Sequence, residues 1–100
     1  MIEMITIGIC DDNTAELQHI EKLLAQFFQD DKDTEFTVKK YADSSLLHED
    51  EELDVLFLDI ELGDKNGLEI AGKYLEAYLN TIIVIISSHK NYISEAYHFL

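Results

Sequence analysis

Three aspartates, Asp11, Asp12 and Asp59, are the residues of this 100-residue chain best suited to do chemistry. Asp11 and Asp12 end the apolar run Met4 to Cys10, and Asp59 ends the run Val55 to Leu58. Both runs read as β-strands, so every one of these carboxylates falls at a strand's C-terminal end. If the two strands are neighbours, about 4.8 Å apart, the three acids converge on one small volume. At roughly 5 Å and an effective dielectric near 20, each pair repels by about 3 kcal/mol, a large share of a small domain's net stability. A positive charge has to offset that. The cluster offers oxygen ligands, which suits a hard cation such as Mg²⁺ better than zinc, with water completing the octahedron. A cation beside a carboxylate also permits nucleophilic attack on phosphorus, because it neutralises charge on the phosphoryl oxygens. Asp59 is best placed to be that nucleophile. Ser87, at the end of the next strand, has a hydroxyl able to bond an oxygen of the attached phosphoryl group and draw its loop inward. Taken singly, the Asp11-Asp12 pair also reads as a helix cap, Asp59 as a loop acid and Ser87 as an ordinary loop serine. The joint placement at strand ends is what argues for a site.

The elements that must position these groups alternate along the chain. Met4 to Cys10 is a β-branched strand. Asn13 with Glu16 three residues on has the outline of a capping box, and Leu17, Ile20, Leu24 and Phe27 recur at helical spacing. Phe36 and Val38 alternate with Thr37 and Lys39 as in a short edge strand. Ser44 to His48 suits a brief helix, and Glu49 to Glu52 a solvated acidic loop. Val55 to Leu58 is apolar without alternation, as in a parallel strand covered on both faces. Leu62 to Gly67 reads as a loop, Leu68, Ala71, Leu75 and Tyr78 as a helix, and Thr81 to Ile86 as another buried strand ending at Ser87-Ser88. Asn91 to Leu100 has weak helical character. Strands alternating with helices predict an open α/β fold with a parallel sheet, right-handed crossovers and helices on both faces. Ligands of such sheets bind beyond the carboxyl ends of the strands, where the acids and serines lie.

Composition narrows the function further. With 47% apolar residues, the chain can bury one core, so residues 1–100 are expected to be a single domain. Seven lysines, no arginine and 21 acids give a net charge of −14, which repels nucleic acid and anionic lipid alike. Cys10 is the single cysteine and reads as a buried, inert thiol. The opening MIEMITIGIC lacks the basic start and cleavage site of a secretion signal, and a cytoplasmic location is expected.

Asp11-Asp12 after the first strand, the run VLFLDIELGDKNGLEIA and the run IIVIISS together resemble the response-regulator receiver family. The similarity covers essentially the whole chain. It implies a flavodoxin-like sheet in the order 2-1-3-4, and phosphorylation of Asp59 by a partner histidine kinase. It also implies that Asp12 and Asp59 bind Mg²⁺ directly, that Asp11 acts largely through water, and that the backbone carbonyl of Glu61 is a further ligand. Ser87 would fill the family's Ser/Thr switch position. The run SSHKNY is similar to receivers of LytTR-type transcription regulators, which implies an output region in the parent chain. The role is that of a signalling phosphoacceptor and not of an enzyme. Against the family's full pattern, the chain reads as cut before the fifth strand and last helix, so that strand's lysine and switch aromatic have no counterpart.

Two other classes compete. FLDIELG also resembles the aspartate-nucleophile motif of haloacid-dehalogenase-like phosphatases, although only 41 residues follow Asp59. A pseudo-receiver that binds partners without phosphorylation is the third. Gly67 to Tyr74 falls short of a phosphate-binding loop, since Tyr74 replaces the small hydroxyl, and Asp64 to Gly67 lacks the first and closing ligands of a calcium loop. His19, His48, His89 and His98 show no ligand spacing. A missing last strand and helix would leave the strand 82–86 as a sheet edge and bare the surface beside the first helix, so self-association through that edge is expected.

Overall fold

The computed structural model describes residues 3–47, 52–62, 65–86 and 98–99. In chain order the elements are β1 (Glu3–Cys10), α1 (Thr14–Phe28), β2 (Thr34–Tyr41), a 3₁₀ turn (Ser44–Leu46), β3 (Val55–Asp59), β4 (Glu61–Leu62), β5 (Lys65–Asn66), α2 (Gly67–Ala77), β6 (Ile82–Ile86) and β7 (His98–Phe99). Four of the strands are mutually parallel in the order β2-β1-β3-β6, the expected 2-1-3-4 arrangement of a flavodoxin-like α/β sheet.

The alternation of side chains along β1 divides the core into two layers. Ile9 faces α1, where Leu17 and Ile20 cover it together with Leu24, Val38, Phe57 and Ile86. Cys10 faces the other way, into a cluster with Leu56, Leu58, Ala71, Tyr74, Ile83 and Ile85 under α2. The two helices thus lie on opposite faces of the sheet. Apolar side chains on both faces of β3 and β6 explain why these runs lack polar alternation. Tyr74 is fully buried, and its hydroxyl accepts the N–H of Leu53 at 3.1 Å. The Thr81 hydroxyl donates to the carbonyl of Leu53, which ties the chain entering β3 to the chain entering β6.

Several expectations are corrected. β2 is not short: it pairs with β1 over its whole length, from Glu3↔Thr34 to Cys10↔Tyr41. The segment read as a loop at Leu62 to Gly67 takes part in an antiparallel strand pair, Glu61↔Asn66 and Leu62↔Lys65, with residues 63–64 outside the described set, and Gly67 already opens α2. The brief helix expected at Ser44 to His48 is the 3₁₀ turn, capped by the Asp43 carboxylate on the Ser45 N–H at 2.9 Å; His48 and residues 49–51 lie outside the described residues. Of the helix expected over Asn91 to Leu100, residues 91–97 and 100 lie outside the described set, and His98–Phe99 is a strand. That strand pairs antiparallel with β6, Val84↔Phe99 and Ile85↔His98, so β6 is not the bare edge anticipated. An open strand edge presents N–H and C=O groups that any backbone within reach can satisfy.

An apolar groove of about 450 Å³ runs between the end of α1 and the sheet, lined by Ile5, Ile7, Phe27, Phe57, Ile82 and Val84 among others. Phe27 is 79% exposed at its rim. Among the described residues, no helix is long and apolar enough to cross a membrane.

Candidate functional site

β1 and β3 are adjacent and end together, Cys10 opposite Leu58, so Asp11 and Asp59 leave the sheet side by side. Carboxylate oxygens of Asp11, Asp12 and Asp59 all lie within 4.8 Å of one another. Asp11 is buried, Asp59 is half-buried and Asp12 is exposed, so the cluster has a closed floor and an open mouth. This is the crevice where the chain departs to one face after β1 and to the other after β3, the position where open α/β sheets bind ligands.

Local bonding fixes each carboxylate. The Asp11 side chain accepts the Asn13 N–H at 2.9 Å, and the Asn13 side chain accepts the N–H groups of Ala15 and Glu16 at 2.9 and 3.3 Å, which starts α1. The Asn13 cap is therefore as expected, but Asp11 holds the Asn13 N–H that the capping-box reading left to Glu16. The Asp59 side chain accepts the Glu61 N–H at 3.1 Å, and the Ile60 N–H donates to the Ile86 carbonyl at 2.9 Å. Glu61 thus sits beside the cluster at the start of β4. Ser87 lies outside the described residues; Ile86, before it, pairs with Asp59.

Gly67 is a positioning residue that the sequence reading assigned only to a loop. Its N–H donates to the Ile60 carbonyl at 2.7 Å, while the Asn66 side chain caps α2 by accepting the Leu68 N–H at 2.8 Å. A Cβ at Gly67 would stand 2.2 Å from the Asp59 carbonyl oxygen and 2.8 Å from the Ile60 Cα. Only glycine lets α2 begin against the backbone that carries Asp59. The signal was available as a glycine at the opening of a helix, a place where propensity gives no reason for one.

Crowding leaves its mark on the protonation of the cluster. Burial, then the charges of Asp59 and Asp12, push the Asp11 carboxyl up from its ordinary 3.8 to about 6, against the opposing pull of the Asn13 N–H. Asp59 is also raised, first by burial and then by Asp12, while the Glu61 N–H and a hydrogen bond with Asp11 work the other way. The two therefore hold a proton between them more readily than isolated aspartates would, as crowded, partly buried carboxylates do. The residues present fit a hard divalent cation: three carboxylates offer oxygen donors within 4.8 Å of one another. The Cys10 thiol is pushed up to about 12 by burial and then by Asp11 and the other nearby aspartates, which makes it the inert thiol expected.

The raised Asp11 carboxyl sets the sign of a pH dependence. Without metal, the folded protein binds this proton more tightly than the unfolded chain, so the penalty is absent below about pH 4. It grows as pH rises from about 4 to about 6 and is constant above. Asp11→Asn keeps the oxygen that caps Asn13 and removes the charge. In chelator at pH 7 it should be more stable than wild type by roughly 1–2 kcal/mol after allowance for solvent screening at the open mouth. Urea unfolding at pH 7 and pH 4 should show that advantage shrink toward zero at the lower pH; an advantage independent of pH would contradict this origin.

No protein-family model matches the sequence, and no curated protein is similar to it. Solved structures do share its fold. The BeF₃-activated receiver domain of DrrB superposes with a TM-score of 0.70 at 23% identity, covering 92% of this chain and 74% of that one. The response regulator TrrA of Thermotoga maritima, in complex with Mg²⁺ and BeF, gives 0.64 at 22% identity, covering 92% and 76%. A response regulator of Burkholderia pseudomallei, with a phosphorylated aspartic acid, a calcium ion and citrate, gives 0.61 at 16% identity, covering 85% of this chain and 48% of its own. The chain thus has the fold of receiver domains, and spans less than half of the Burkholderia protein.

Proposed function

We propose that this chain is a phosphoacceptor domain of two-component signalling, with Asp59 as the residue that carries the phosphoryl group. The observation that carries the reading is the convergence of Asp11, Asp12 and Asp59 within 4.8 Å at the ends of adjacent parallel strands. Sharing a fold with receiver structures, two of them with a divalent cation and one with a phosphorylated aspartic acid, supports it.

In this reading Asp12, Asp59 and the carbonyl of Glu61 hold Mg²⁺, with Asp11 acting through water. When bound, the cation would offset the carboxylate charge and neutralise the phosphoryl oxygens that Asp59 must approach. A carboxylate oxygen of Asp59 forms a bond to phosphorus as the bond from phosphorus to the donor's imidazole nitrogen breaks, and that electron pair stays on the nitrogen of a partner histidine kinase. Bonding to the Glu61 N–H orients the nucleophile. Ser87 follows the strand paired with Asp59, so its hydroxyl is the group assigned to read the new charge and pull the loop after β6 inward. The change would be passed to an output region in the parent chain, of the DNA-binding LytTR type, in the cytoplasm.

Acetyl phosphate with Mg²⁺ tests this without a kinase. Expected is one phosphoryl adduct by intact mass, mapped to the peptide containing Asp59, labile to hydroxylamine and absent from Asp59→Asn. Release of phosphate with no trapped adduct would favour a phosphatase, and no reaction at all would favour a phosphorylation-independent partner-binding role.

A further inference from the structure

A closed circuit of hydrogen bonds lies at the end of β3 remote from Asp59. The Leu53 N–H donates to the Tyr74 hydroxyl at 3.1 Å, and the Thr81 hydroxyl donates to the Leu53 carbonyl. The two hydroxyls are also bonded to each other. Thr81 has a single hydroxyl proton, already directed at Leu53, so the proton between the hydroxyls is that of Tyr74. Burial pushes the Tyr74 hydroxyl above its ordinary 10, so it keeps that proton at neutral pH. Tyr74, Leu53 and Thr81 are all buried, and bonds closed on themselves in a low-dielectric interior polarise one another. The circuit joins α2 to the chain entering β3 and to the chain entering β6.

At the start of the same helix, the Gly67 N–H donates to the Ile60 carbonyl at 2.7 Å, and there is no room for a Cβ against the Asp59 carbonyl. Hydrogen bonds therefore attach α2 at both ends of β3, at Leu53 before the strand and at Ile60 after it. Between them the fully buried Ala71 lies in one cluster with Leu56 and Leu58. Apolar packing of this kind is non-directional, so it holds a helix down without fixing its position along its own axis. Hydrogen bonds are directional and do fix it. We propose that Tyr74 is a positioning residue for Asp59: through the circuit it sets how far α2 reaches along β3, and so where Gly67 meets the backbone that carries the carboxylate. A slide of α2 toward Asp59 presses Gly67 on the carbonyl, and a slide away stretches the bond to Ile60. The effect of Tyr74 on metal binding rests on the reading of Asp11, Asp12 and Asp59 as a cation site.

Tyr74→Phe removes the hydroxyl and keeps the aromatic contact with Tyr78, and Thr81→Val breaks the circuit from the other side. In chelator, ¹⁵N spectra of either variant should show displaced amide signals for Asp59, Ile60 and Gly67, with the Gly67 N–H exchanging about threefold faster or more. The double variant should do no more than the stronger single one, since both open the same circuit. Ile20→Val, in the core layer under α1 on the opposite face, is the destabilised control and should leave those signals in place. With Mg²⁺ added, the Kd of Tyr74→Phe should rise by about fivefold, short of the roughly 10–100-fold typical of groups bonded directly to a metal ligand, while that of Ile20→Val stays at the wild-type value. Unmoved Asp59 and Gly67 signals in both circuit variants would overturn the proposal, as would equal displacement in Ile20→Val. A wild-type protein that binds no Mg²⁺ would count against the cation site instead, with the spectra in chelator still deciding whether Tyr74 positions Asp59.

Discussion

Saturating Mg²⁺ should raise the melting temperature of this protein by roughly 10–20 °C. A ligand at about one hundred times its dissociation constant adds about 2.7 kcal/mol to the folded state. For a chain of this size each kcal/mol moves the transition by about 4–8 °C. The source of that energy is the cluster itself, where Asp11, Asp12 and Asp59 lie within 4.8 Å and both Asp11 and Asp59 are raised by burial and by their acidic neighbours. Asp12→Asn gives the discriminating control. It removes the most exposed of the three carboxylates, so in chelator it should melt at or above wild type, relieved of repulsion, yet gain little when Mg²⁺ is added. Differential scanning calorimetry of both proteins in chelator and in Mg²⁺ reads all four values. Equal gains in the two proteins would mean that the cation acts elsewhere on this acidic surface.

Gly67→Ala should severely destabilise the protein, because it adds a methyl group against the backbone of the site. Its Cβ would meet the Asp59 carbonyl oxygen at 2.2 Å and the Ile60 Cα at 2.8 Å, and backbone cannot swing aside as a side-chain end can. Relief requires α2 to lift from β3, with strain in the Gly67 N–H bond to Ile60 and disturbance of the residue that carries the Asp59 carboxylate. The expected cost is about 3 kcal/mol or more, at the upper end of overpacking effects. Gly72→Ala is the matched control in the same helix: nothing lies within 4 Å of its Cβ, so helix propensity alone should stabilise the protein by about 1 kcal/mol. Denaturant unfolding of the pair checks both signs. A Gly67→Ala protein as stable as wild type would show that α2 need not abut Asp59.

These contrasts show what the order of residues can and cannot reveal. The aspartates were legible because each ends an apolar strand, and hydrophobic periodicity marks strand ends well. The sheet order followed from β-α alternation and from the resemblance to receivers. Gly67 was not legible as a positioning residue, because its role is a backbone approach between Ile60 and α2 that no side-chain pattern encodes. Nor was the Asp11 bond to the Asn13 N–H, since Glu16 at the third helical position satisfied the same rule on paper. The strand pair Glu61–Leu62 with Lys65–Asn66 and the two-residue β7 are too short for any periodicity to register. β7 in particular is held by the outward backbone of β6, an interaction indifferent to side-chain type.

The proposed function requires one divalent ion held by aspartates at the ends of two separate strands, with Asp59 among them. Titration of the ¹⁵N-labelled protein with Mn²⁺, a paramagnetic stand-in that favours the same oxygen ligands, tests it most directly. Amide signals of Asp11, Asp12, Asp59 and Glu61 should broaden first and together, at substoichiometric metal, and recover when Mg²⁺ is added in excess. Broadening centred on another acidic stretch such as Asp30 to Asp33, with Asp59 left sharp, would contradict it.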